Sequence, residues 1–121
     1  MSEPAGDDAV GNLPPEDAKL VTLARSARAR LGAEEGAAVR DETGRTYVAA
    51  TVDLSSLQLS AVQAVVAAAV SSGSQTLEAV AVVGDLEKLT DADRAVLDDV
   101  SVTTVLIADP QRVRRSSQVE P

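Results

Sequence analysis

Residues 60–83 read SAVQAVVAAAVSSGSQTLEAVAVV, and this stretch decides the architecture. Ser60-Ala61-Val62-Gln63 has the S-x-x-Q form of a capping box, which marks the start of a helix. From there to Val70 the helix is apolar on nearly every side, with Gln63 as the single polar side chain of residues 61–70. Such a helix is usually buried all round. In so short a chain, that requires a sheet on one side and another element or subunit on the other. Ser71-Ser72-Gly73-Ser74 breaks the helix. Leu77 to Val83 then carries the unbroken run Ala79-Val80-Ala81-Val82-Val83, the pattern of a strand covered on both faces.

Towards the N-terminus, residues 1–14 mix Gly, Pro, Ser and acids and predict a disordered acidic leader. Pro14 and Pro15, then Glu16 and Asp17, open an amphipathic helix with proline at its start and acids in its first turn. Leu20, Leu23, Ala24, Ala27 and Leu31 form its apolar stripe, and Gly32 ends it. Ala37–Arg40 and Arg45–Val52 flank Asp41-Glu42-Thr43-Gly44 as a β-hairpin. Ser55 to Gln58 read as a polar connector. Beyond the central strand, Gly84–Lys88 read as a loop. Thr90 caps a third helix with acids in its first turn, and Ala95, Val96 and Val100 supply its apolar side. Val102–Ala108 is expected to be the last strand, stopped by Asp109-Pro110, with a flexible tail over 111–121. The order α-β-β-α-β-α-β over one domain, 15–110, is economically built as a central sheet with helices on its faces.

The chain has 121 residues, 45% of them hydrophobic, with Tyr47 as its single aromatic. Small side chains gain less on burial, which is worth roughly 25 cal/mol per Å² of apolar area, so self-association is favoured. A formal net charge of −8 and the lack of stacking aromatics argue against nucleic acid and anionic membranes as partners. Arg112, Arg114 and Arg115 form a short basic cluster, read as part of a solvated tail. The first residues lack the apolar core of a signal peptide, and no run reaches the roughly 20 apolar residues of a membrane span. The expected location is cytoplasmic. There are no cysteines and no histidines. Disulfides, zinc sites of the usual thiolate and imidazole type, and Cys–His or Ser–His–Asp catalysis are thereby excluded.

From about Ala18 to Asp109, the order and wording of these segments resemble the cytidine deaminase family in its short-chain, homotetrameric form. Gly36-Ala37-Ala38-Val39 followed by Thr43-Gly44-Arg45 is similar to that family's first hairpin. Thr51-Val52-Asp53 falls where the family has an Asn-x-Glu segment that holds the ribose; both positions differ, though Asp53 keeps a carboxylate. The resemblance implies a three-layer α-β-α fold with a central mixed sheet, and assembly as a tetramer or dimer. It also sharpens the chemistry. The family's Cys-Ala-Glu, a zinc ligand and the proton-shuttling acid, is matched by Ser60-Ala61-Val62. Its Pro-Cys-x-x-Cys, with two further zinc ligands, is matched by Leu89-Thr90-Asp91-Ala92-Asp93. Three ligand positions thus become Ser60, Thr90 and Asp93, and the proton shuttle becomes Val62.

Hydroxyls are poor zinc ligands, and one carboxylate does not replace three thiolates. Ser60 and Thr90 instead serve as helix caps, and Asp93 as a favourable charge in a first helical turn. Deamination needs a group that moves a proton from water to the ring, and a valine cannot. The expectation is a catalytically inactive, deaminase-like protein with no catalytic residue, no bound metal and no cofactor, kept as an oligomeric scaffold or partner-binding module. Two alternatives stay open. One is a nucleoside sensor that retains the pocket, against which stand the altered ribose segment and the scarcity of aromatics; Tyr47 itself reads as core or interface filler, with ligand stacking as the alternative. The other is a metal-free enzyme drawing an acid–base pair from Glu34, Glu35, Asp53, Asp85 and Glu87.

Overall fold

The computed structural model describes residues 7–8, 12–85, 88–109 and 112–116. The elements are β1 (Asp7–Asp8), α1 (Pro15–Leu31), β2 (Glu35–Asp41), β3 (Thr46–Ala50), β4 (Val52–Leu54) and β5 (Leu57–Leu59), followed by α2 (Ala61–Ser71), β6 (Leu77–Gly84), α3 (Asp91–Asp99), β7 (Thr104–Ala108) and β8 (Val113–Ser116). The main sheet runs in the order β1-β8-β7-β6-β2-β3, and β4 pairs with β5 in a separate two-stranded ribbon. Among the described residues only β6 and β7 are parallel, and the other neighbouring pairs are antiparallel. The sheet is therefore mixed, as expected.

Alternation along the central strands builds two cores. Val80 and Val82 of β6, with Val105 and Ile107 of β7, meet α2 and α3 on one face. Ala79, Ala81 and Val83, with Leu106 and Ala108, meet α1 on the other. This makes a three-layer α-β-α domain, and the run Ala79–Val83 is buried on both faces.

The α1 side is lined largely by alanines, so the helix can lie close to the sheet. At Gly36 of β2 the approach is close: a Cβ built there would collide with the Ala24 carbonyl oxygen. Only glycine fits such a contact without movement. Arg40 of β2 ties the layers further, pairing with Asp17 of α1 at 3.1 Å and with Glu78 of β6 at 3.0 Å.

The β2–β3 hairpin turns at Asp41–Gly44, with Gly44 at φ 90°. Asp41 is fully buried and acts as a hub. Its Oδ1 accepts from the Thr43 amide at 2.9 Å, the Thr43 hydroxyl at 2.7 Å and the Arg45 amide at 2.9 Å. Its Oδ2 accepts from the Ser74 hydroxyl at 2.7 Å, joining this turn to the α2–β6 connection.

Several expectations need correction. The strand expected over Arg45–Val52 ends at Ala50, and Val52 opens β4 instead. Ser55 to Gln58, expected as a connector, falls in the β4–β5 hairpin, where the pairing Leu54↔Leu57 places a tight turn at Ser55-Ser56. In α1, Leu31 lies in the last turn and is 63% exposed, while Val21 joins the buried stripe. In α3 the deep residues are Leu97 and Asp93, and Ala95 is exposed. The strand expected from Val102 starts at Thr104, and it is not the last: β8 continues the sheet antiparallel to β7. Of the tail predicted over 111–121, β8 occupies 113–116, and 111 and 117–121 lie outside the described residues. Of the leader, 7–8 form β1 and 12–14 are described, whereas 1–6 and 9–11 lie outside.

Candidate functional site

The amino-terminal ends of α2 and α3 open onto one cleft of about 350 Å³. Glu34 and Glu35 reach it from the start of β2, Thr51, Val52 and Asp53 from the β3–β4 passage, Gln58 and Leu59 from β5, and Ser60, Thr90 and Asp93 from the two helix starts.

Ser60 caps α2 through a complete capping box: its Oγ accepts from the Gln63 amide at 3.0 Å, and Gln63 Oε1 accepts from the Ser60 amide at 2.9 Å. Thr90 caps α3, its Oγ1 accepting from the Asp93 amide at 3.0 Å. The two caps are joined. The Ser60 hydroxyl donates to Asp93 Oδ1 at 2.6 Å, and Asp93 is only 3% exposed. Ser60 and Thr90 as caps and Asp93 as a first-turn charge are legible in the sequence; the bond that joins Ser60 to Asp93 is not.

The ionisation of Glu35 is disturbed in this cleft. Burial pushes its carboxyl above the usual carboxylate range, and the charges of Asp93 and Glu34 add to the shift. A hydrogen bond from the Ala61 amide at the start of α2 partly offsets them. The Glu35 backbone is held by Thr51, whose Oγ1 accepts from the Glu35 amide at 3.0 Å.

The other named residues divide clearly. Val62 is fully buried between α2 and the sheet and does not line the cleft. Tyr47 packs at the edge of that same core, with the Arg45 guanidinium 5.9 Å from its ring centroid, and is likewise absent from the cleft walls. Of the carboxylates considered, Glu34, Glu35 and Asp53 do converge on the cleft. Asp85 is exposed and apart from it, and Glu87 lies outside the described residues. Arg114 and Arg115 belong to β8, where Arg114 stands in register with Asp7 of β1.

Zinc of the kind implied by the resemblance does not fit this donor set. Ser60 Oγ and Thr90 Oγ1 are neutral hydroxyl oxygens already engaged in capping, and Asp93 is engaged by Ser60. Among the described residues, no three His, Cys, Asp or Glu side chains group so as to hold a metal ion.

A second, more apolar groove of about 520 Å³ lies between α2 and α3, walled by Val66, Ala67, Val70, Val96 and Val100 with Gln63, Gln75 and Asp99 around them. Val70 is 48% exposed there. Among the described residues, no helix is long and apolar enough to cross a membrane.

Comparison with known proteins places these features. A family model described as cytidine deaminase-like matches residues 13–112. Among solved structures, the cytidine deaminase from Mycobacterium tuberculosis is 33% identical, with a TM-score of 0.63 over 80% of this chain and 87% of that one. The cytidine deaminase from Burkholderia pseudomallei superposes with a TM-score of 0.73 at 23% identity, covering 83% of this chain and 91% of that one. That from Mycobacterium leprae gives 0.64 at 24% identity, over 85% and 95%. At such identities the last two speak for the fold alone. No curated protein matches the chain.

Proposed function

The chain belongs to the cytidine deaminase-like family, and we propose that within it this protein is catalytically inactive and serves as an oligomeric scaffold or partner-binding module. The observation that carries this reading is Val62. At the position where the family's proton-shuttling acid is expected, this chain has an apolar side chain packed into the core. Nothing at that position can take a proton from water and deliver it to a pyrimidine ring. Fold does not carry activity when the reacting groups are gone.

The scaffold half of the reading is supported by α2. Its outward residues include Ala67 and Val70, both exposed, beside the apolar α2–α3 groove. An apolar face of this kind suits a symmetric contact with a second copy, and a dimer or tetramer is the assembly proposed. Incubating the purified chain with cytidine and deoxycytidine tests inactivity, and sedimentation tests assembly.

A nucleoside sensor is the second reading, and one observation favours it: the cleft is open rather than filled by side chains. Calorimetric titration with cytidine and uridine separates the two. Saturable binding without turnover supports the sensor, and silence supports the scaffold.

A further inference from the structure

We infer that Ser60, Thr90 and Asp93 form a metal-independent clasp that holds the starts of α2 and α3 together, at the place where a zinc ion is expected from the family's chemistry. Helix N-termini leave backbone amides without intrahelical partners, and two of them meeting at one cleft must each be satisfied. Here the Ser60 Oγ satisfies the Gln63 amide and the Thr90 Oγ1 satisfies the Asp93 amide, each at 3.0 Å. A third bond turns two caps into one unit. Ser60 has a proton left to give, and it donates that proton to Asp93 Oδ1 at 2.6 Å.

This bond has the character of a strong one. Its acceptor is a carboxylate, its length is at the short end for O–H···O, and Asp93 is 3% exposed. It also spans 33 residues of sequence, so it fixes tertiary structure rather than local conformation. A metal joins helices through ligands drawn from each of them. The clasp reaches the same result with two hydroxyls and a carboxylate, each engaged with a protein group. The clasp is separable from inactivity, since an inactive chain need not have it.

The test is a double-mutant cycle on the full chain, read by denaturant unfolding with and without zinc sulfate. Ser60→Ala should lower the folding equilibrium constant by about 2- to 30-fold, the range for a lost cap, and Asp93→Ala by about 10- to 150-fold, the range for a lost hydrogen bond to a charged group. The double variant should lose at least about 3-fold less than the product of the single losses, because both remove the same bond. Should Asp93→Ala fail to fold, Asp93→Asn takes its place in the cycle. Its amide oxygen can still accept from Ser60, so it should keep part of the coupling. Zinc should leave every midpoint unchanged. Additive losses across the cycle, or zinc stabilisation of the parent that Ser60→Ala abolishes, would overturn the clasp.

Discussion

Ser60 Oγ stands 2.6 Å from Asp93 Oδ1, and through that contact the second helix is bonded to the third. Both residues occupy positions that the family resemblance gives to zinc ligands. If those positions converge as the contact indicates, they should accept a metal once given suitable donors. The triple variant Ser60→Cys, Thr90→Cys, Asp93→Cys should therefore take up one zinc per chain and become more stable in its presence. Elemental analysis after gel filtration measures this. A variant with native-like circular dichroism and no retained zinc would show that the positions do not converge.

The carboxylates Asp41 and Glu35 should act oppositely on acid stability. Hydrogen bonds hold Asp41 well below the usual carboxylate range, the Ser74 hydroxyl foremost, against the cost of burial. Its stabilising contribution is present in full above the ordinary carboxylate pKa of about 4, and fades as pH falls from there towards the depressed value. Asp41→Asn should thus be less stable than the parent at neutral pH and lose less on acidification. Glu35 is raised, chiefly by burial. Its ionised form penalises the fold, and the penalty is relieved as pH falls through the raised value. Glu35→Gln should be more stable than the parent at neutral pH, with the advantage shrinking in acid. Urea midpoints measured across the acid range check both signs.

At the α1–β2 contact, Gly36→Ala should destabilise by about 1–3 kcal/mol or more, because its Cβ meets the Ala24 carbonyl oxygen, a backbone atom with no rotamer to escape into. Gly44→Ala, which meets nothing within 4 Å, carries only the strain of a positive φ and is the control for backbone effects alone. Equal stability of Gly36→Ala and the parent would mean that α1 can shift away from the sheet without cost.

What was legible in the sequence was local. The capping box at Ser60 and Gln63 lies within a single helical turn, and Ala79–Val83 states its double burial in its own composition. Thr90 was readable as a cap for the same reason. The β4–β5 ribbon was not, because strands of three residues joined through Ser55 and Ser56 carry no periodicity to detect. On α3, Val96 and Val100 do pack on the core as the sequence suggests, but Ala95 faces out and Leu97 faces in, because a nine-residue helix samples its own phase poorly. Neither Ser60–Asp93 nor Asp41–Ser74 could be read, as each joins residues 33 apart. For Asp41 a partial signal existed: Asp41-x-Thr43 ahead of a glycine is the pattern of an Asx-turn, and it marks the carboxylate as a backbone acceptor.

On α2, exposure separates the valines. Val62 and Val66 are buried, whereas Val70 is 48% exposed beside the α2–α3 groove. Val70→Glu should therefore break the proposed oligomer while changing monomer stability by no more than about 0.5 kcal/mol, as surface substitutions do. Sedimentation of parent and variant at micromolar concentration is the measurement. A monomeric parent would remove the scaffold proposal.

The most direct test of inactivity joins zinc content and turnover in one purified sample of the full chain. The expected result is no stoichiometric zinc, and no conversion of cytidine or deoxycytidine above background. Val62→Glu should not change this, and it should cost at least about 2 kcal/mol of stability by placing a carboxyl in an apolar core. One tightly held zinc per chain in the parent, or uridine accumulating in proportion to protein concentration, would contradict the account.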